Sequence, residues 1–296
     1  MVKSGLIEDI KITFKDGNML TKLIYVNLGV FLLIKIVTIV IVLFNIGSAS
    51  IFTEWLSVPA DVIKLLYKPW TLITYMFLHE EFLHILFNLL WLFWFGKIFL
   101  EYFTDKQLLN IYLLGGLSGA FLYIISYNLL PIFSNVLPFS SALGASAAVM
   151  AIVISTAVYV PNYTVYLMFF GPVKLKYIAL VSVLLDVVLL LDGNSGGHIA
   201  HIGGAIFGYY YTIQFKKGRE IFSGFSNIVD NTLNLFKYKN NLKVTYKRSE
   251  SDINYKKRKN TEQKDIDKIL EKISKSGYNS LSKEEKEILF RQSRNN

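Results

Sequence analysis

The chain has 296 residues, 53% of them hydrophobic, with a mean hydropathy of +0.40. That content excludes an ordinary soluble domain and predicts a protein that crosses a membrane several times. It has no cysteine, which removes a disulfide framework, a thiolate nucleophile and any Cys-based zinc site. The net charge of +9 sits largely in the C-terminal tail, where attraction to anionic lipid accounts for it and nucleic acid is not needed.

Residues 1–21 form a polar lead. The apolar stretch that follows has no small-residue cleavage site, so it reads as a retained span and not as a signal peptide. A span needs about 20 mostly apolar residues to cross roughly 30 Å of hydrocarbon. Within a membrane domain at 22–215, six stretches qualify: 24–44, 82–100, 108–130, 142–160, 177–191 and 199–215. The loop at 45–81 is too long for a simple connector. Its Trp55, Tyr67, Trp70 and Tyr75 predict a partly embedded external loop with short helices. The other connections read as short.

Residues 216–262 form a basic linker. Its first part, to 236, is an amphipathic stretch along the membrane surface carrying Phe222, Phe225, Ile228 and Val229. The rest, 237–262, is Lys/Asn/Ser-rich and reads as flexible. At 263–296 the pattern predicts a small soluble helical hairpin with no partner readable from sequence. Ile266, Ile269, Leu270 and Ile273 fall at helical spacing, and Gly277 is placed to end that helix. Ser282-Lys283-Glu284-Glu285 fits a capping box that opens a second helix with Ile288 and Leu289.

With the N-terminus inside, Lys3, Lys11, Lys15, Lys22, Lys97, Lys106, Lys174, Lys176, Lys216, Lys217 and Arg219 all fall on or near the inner side, and only Lys64 and Lys68 fall outside. This bias predicts cytoplasmic termini and a cell membrane of the bacterial inner-membrane kind, an organellar membrane being the alternative.

Two segments inside these spans carry chemistry. Ser146 lies near the external end of the fourth span, after Gly144 and before Ala147 and Ala148. Near a helix N-terminus a serine oxygen sits beside unpaired N–H groups able to hold an oxyanion. Taken alone, the small residues around it fit tight helix packing better than a nucleophile. His201, Gly204 and Gly208 stand at i, i+3 and i+7, so the sixth span puts a histidine on a glycine face that another helix can approach closely. His198 lies one turn earlier as a neighbour. His84 and Asn88, at i and i+4 near the start of the second span, both offer donors. His79 and His84, five apart and about 140° around a helix, do not make a His-Glu-x-x-His zinc site. Asp186 is an intramembrane carboxylate without an assigned role, and Lys35 has none either.

Gly144-x-Ser146 resembles the nucleophile motif of the rhomboid intramembrane serine proteases. Ala200-His201-x-x-Gly204-x-x-x-Gly208 resembles their histidine-span motif, and His84-x-x-x-Asn88 their oxyanion pair. Glu101 is similar to the acid the family often carries at the inner end of the second span. The resemblance runs from about Trp70 to Phe215. It departs at Ala147, where many members have glycine, and at Trp70-Thr71, where the family has Trp-Arg.

The resemblance implies an all-α, polytopic bundle of six transmembrane helices, of bacterial type with a cytoplasmic tail. Its cavity would open to the external side. Ser146 would be the nucleophile and His201 the general base and acid. The Ser146 N–H, His84 and Asn88 would hold the oxyanion, with Gly144, Gly204 and Gly208 allowing close packing. No metal or cofactor is implied. Substrates would be single-span proteins in the bilayer whose paired helices must unwind before attack. The rivals are a non-catalytic rhomboid-like protein that binds membrane clients, and a transporter using His84, Asp186, His198 and His201 as a proton relay. A transporter would usually carry internal repeats, and none is visible.

Overall fold

The computed structural model describes residues 5–167, 171–219 and 252–293, and the chain divides into two units, Met1–Phe236 and Lys237–Asn296. In the first, the polar lead is itself a helix, α1 (Leu6–Asp16). Asn18 then caps α2 (Met19–Phe44) by accepting the Thr21 N–H at 3.0 Å, so the first span starts five residues before the hydropathy does. The long loop folds into α3 (Ile51–Leu56), a two-residue strand β1 (Val58–Pro59), α4 (Val62–Tyr67), α5 (Thr71–Thr74) and a 3₁₀ turn at Tyr75–Phe77. Trp55 and Trp70 stack with ring centroids 6.1 Å apart, the Trp70 indole N–H donates to the Trp55 carbonyl at 2.9 Å, and Lys68 lies over the Trp55 ring at 4.6 Å. This cluster braces the loop where Thr71 takes the place of the family's arginine.

The remaining helices are α6 (Phe82–Leu100), α7 (Asp105–Leu129), α8 (Ser146–Tyr159), α9 (Leu175–Val188) and α10 (Ser195–Lys216). A capping box between Thr104 and Gln107 starts α7. Helices α2, α6 and α7 are each long and apolar enough to cross a membrane. The predicted fourth span was to start at 142. Instead Ser141–Ala142 form β2, paired antiparallel with β1 (Val58↔Ala142, Pro59↔Ser141), and the helix begins at Ser146. The connection between α8 and α9 is not a short loop but a ribbon of β3 (Thr164–Leu167) and β4 (Gly171–Lys174), again antiparallel.

At 14 residues α8 is only about 21 Å long, and every residue from Ala147 to Ala157 is buried. A helix apolar all round belongs in the middle of a bundle. Glycines let its neighbours close on it. A Cβ on Gly204 would overlap the Ala147 carbonyl oxygen, and one on Gly208 would overlap that of Ala151. Across α7, a Cβ on Gly119 would come 2.6 Å from the Ala147 methyl, so the methyl that departs from the family pattern occupies space that glycine leaves. The Ser155 and Thr212 hydroxyls meet at 2.7 Å between α8 and α10.

In the second unit, α11 (Asp252–Ser276) ends at Gly277, whose φ of 75° only glycine adopts freely, and α12 (Lys283–Ser293) follows. Ser282 and Glu285 form the capping box, with bonds of 2.7 and 3.2 Å, and Lys272 pairs with Glu285 at 2.9 Å. Ile269 and Leu281 are buried between the helices. The first hairpin helix begins at Asp252, so 252–262, expected as flexible linker, is helical. The predicted surface stretch beyond 219 and the rest of the linker, to 251, lie outside the described residues.

Candidate active site

Ser146 is the first residue of α8, whose ladder starts with the Val149 N–H donating to the Ala145 carbonyl at 2.9 Å. The amides before it therefore lie outside the ladder, beside the positive end of the helix dipole. Segments far away in sequence hold this turn. The Gly144 N–H donates to the Tyr75 carbonyl at 2.9 Å, the Ala60 N–H to Ser140 at 3.0 Å, and the Ala145 N–H to His79 Nε2 at 3.3 Å. Gly144 has φ of +119°, and a Cβ there would lie 2.8 Å from the His84 ring. Glycine is thus required twice, for the backbone angle and for the imidazole against it.

The His201 Nδ1 lies 2.8 Å from Asp186 Oδ1 on α9, and the His198 Nδ1 reaches the same oxygen at 2.8 Å. A carboxylate only accepts, so each imidazole carries its proton on Nδ1 and presents Nε2 as the basic nitrogen. Asn88 is buried and donates one amide hydrogen to the His84 carbonyl at 2.9 Å, leaving a second to give. A cavity of about 680 Å³ brings Ser146, His201, His84, Asn88 and Asp186 to one wall-to-wall space. Among the described residues no hydrogen bond joins Ser146 to His201, as is common before substrate tightens a site.

Two contributors escaped the sequence reading. Asp186 was visible as an intramembrane carboxylate, a costly group that usually has a task. Its partners are 12 and 15 residues away on another helix, which no periodicity reveals. His79 was weighed only as a helical zinc ligand with His84 and set aside. It precedes α6 instead, fully buried, with the two rings edge to face at 5.1 Å.

His79 yields a pH prediction. Burial pushes its imidazole down to about 4, His84 beside it adds to this, and the Phe77 carbonyl opposes it. Below the ordinary value of 6.5 the unfolded chain takes up a proton that the folded chain refuses, so stability falls as pH drops from 6.5 towards 4. The loss amounts to about 3 kcal/mol at about 1.4 kcal/mol per unit. Thermal unfolding between pH 7 and 4.5 checks it. His79→Asn, which still offers an acceptor to Ala145, should show a shallower decline than wild type. Parallel curves would remove His79 as the source.

A rhomboid-domain family model matches residues 67–217. The chain belongs to the rhomboid family. This rhomboid is a membrane protein, an all-α bundle, and its family match covers the whole cavity. It is 32% identical over 158 residues to RHOMBOID-like protein 12, mitochondrial, of Arabidopsis thaliana, across 50% of this chain and 47% of that one. It is 26% identical over 200 residues to Rhomboid-like protein 16, chloroplastic, of the same plant, across 59% of this chain and 61% of the relative. The rhomboid thus spans about half of the first relative and three fifths of the second. Residues 250–295 match a family of unknown function, DUF6576.

Proposed function

We propose that the chain is a serine-type endopeptidase that cuts peptide bonds in or near the transmembrane helices of single-span proteins. One observation carries the reading. The hydroxyl at the N-terminus of α8 and an imidazole oriented by a buried carboxylate share one cavity inside an apolar bundle. Ser146 Oγ attacks the peptide carbonyl while His201 Nε2 takes its proton, later returning it to the leaving amine. Asp186 holds the His201 tautomer through Nδ1 and stabilises the imidazolium that forms. The Ser146 N–H, His84 and the spare Asn88 hydrogen converge on the oxyanion. A protein that only binds clients has no use for this chain of groups. Nothing in the chemistry calls for a cofactor.

The lysine and arginine bias supports both termini on the cytoplasmic side or its organellar equivalent, with the cavity opening opposite. The relatives' names support an organellar setting as readily as a bacterial inner membrane. A fluorophosphonate probe applied to the full chain in lipid nanodiscs tests the mechanism. Labelling is expected at Ser146 in wild type and absent in His201→Ala. A wild-type protein left unlabelled, or equal labelling without the imidazole, sinks the proposal.

A further inference from the structure

Asp186, His198 and His201 make up more than an orienting contact. Holding His201 in one tautomer needs a single acceptor, yet two imidazoles converge on the same carboxylate oxygen, each at 2.8 Å. Their donor atoms all lie within 4.8 Å of one another. The side chains are little exposed, Asp186 at 8%, His198 at 16% and His201 at 22%, yet Asp186 and His201 border the cavity, which gives an ion a way in. Two imidazoles and a carboxylate, with one position open to water, are the donor set zinc takes in open three-ligand sites. Metal–ligand bonds of about 2.0–2.2 Å put donors roughly 3.3 Å apart in a tetrahedral site, a few tenths of an ångström beyond the two 2.8 Å nitrogen–oxygen spacings and inside the 4.8 Å that bounds the whole set.

We propose that Asp186, His198 and His201 form an inhibitory divalent-cation site, with zinc as the ion that fits it. An ion on His201 Nδ1 needs the lone pair of that nitrogen, so the ring proton shifts to Nε2. The nitrogen meant to accept from Ser146 then carries hydrogen and cannot act as base. No proton is gained or lost by the ring in this shift. The nucleophile, the oxyanion donors and the helix packing stay as they are, so removing the ion restores the base. His198 thereby acquires a role that the peptide chemistry does not give it. Inhibition rests on the peptidase reading; binding of the ion does not.

The test uses the full chain in nanodiscs, stripped with a chelator and titrated with Zn²⁺ alone by calorimetry, with the visible spectrum of Co²⁺ as a second readout. Wild type and Ser146→Ala should each bind one ion. Asp186→Asn and His198→Ala should each weaken binding by about tenfold or more. In wild type the filled site should block fluorophosphonate labelling of Ser146, and chelator should restore it. No saturable binding below about 1 mM, or equal affinity in the two ligand variants, overturns the site. Undiminished labelling with the site filled overturns inhibition. A chain that takes up zinc through these residues but never labels without it refutes the peptidase reading and leaves the cation site standing. The Co²⁺ spectrum of unmutated protein, expected to show bands of low-symmetry imidazole and carboxylate ligation, guards against variants that merely misfold.

Discussion

Asp186→Asn is expected to lower kcat for a single-span model substrate by on the order of 10³- to 10⁴-fold, with KM little changed. The amide has the size of the carboxylate but can turn its NH₂ towards Nδ1 of His201. Nδ1 then accepts, the ring proton moves to Nε2, and the base faces Ser146 already occupied. Removing a reacting group should cost more. Ser146→Ala and His201→Ala should each approach a loss of about 10⁶-fold, and the double variant should be no slower than either alone, since the two act as one unit. Asp186→Glu, which keeps a pure acceptor, should recover part of the loss. The measurement is steady-state cleavage in nanodiscs, with kcat and KM separated. An Asp186→Asn enzyme keeping more than about a tenth of wild-type kcat would leave Asp186 a packing role only.

The second large effect is on assembly. In Gly204→Val the new Cβ overlaps the Ala147 carbonyl oxygen, a backbone atom one residue past Ser146. Backbone on both sides leaves no flexible side chain to give way, so α10 must shift off α8. A loss of at least about 3 kcal/mol is expected, at the upper end for overpacking. That is a fall of roughly 6–12 °C in Tm for a domain of this size. Gly208→Val should behave alike, against the Ala151 carbonyl. Gly29→Ala is the control, because nothing lies within 4 Å of a Cβ there and alanine favours a helix interior. A Gly204→Val protein that melts with wild type would mean the two helices do not meet through this face.

Helix faces were the legible part of this chain. Small residues at i, i+3 and i+7 announce a close contact whichever helix provides the partner, so the glycine face of His201 could be read without coordinates. Capping boxes are local, and Ser282 with Glu285 was readable for that reason. Two-residue pairings are not. The meeting of Val58–Pro59 with Ser141–Ala142 has no periodicity of its own, yet it decides that α8 begins at Ser146 and not four residues earlier. The His79 and Tyr75 bonds to the turn before Ser146 escaped notice for the same reason: each joins a loop to a distant loop. Asp186 failed differently. Its type and depth marked it as costly, but what it touches depends on how α9 lies against α10, which sequence spacing within either helix cannot report.

That placement gives α9 a particular standing. Ser146 and His201 ride on α8 and α10, which meet through glycine contacts. The carboxylate rides on a helix whose Tyr177, Leu180, Val181, Leu184 and Val188 are each more than half exposed on its outer face. A sideways slip of α9 by an ångström or so stretches the 2.8 Å bond past useful length. In the proposed reaction Asp186 therefore ties the base to the seating of α9, and a displacement of that helix would disengage His201 while leaving the Ser146 turn in place.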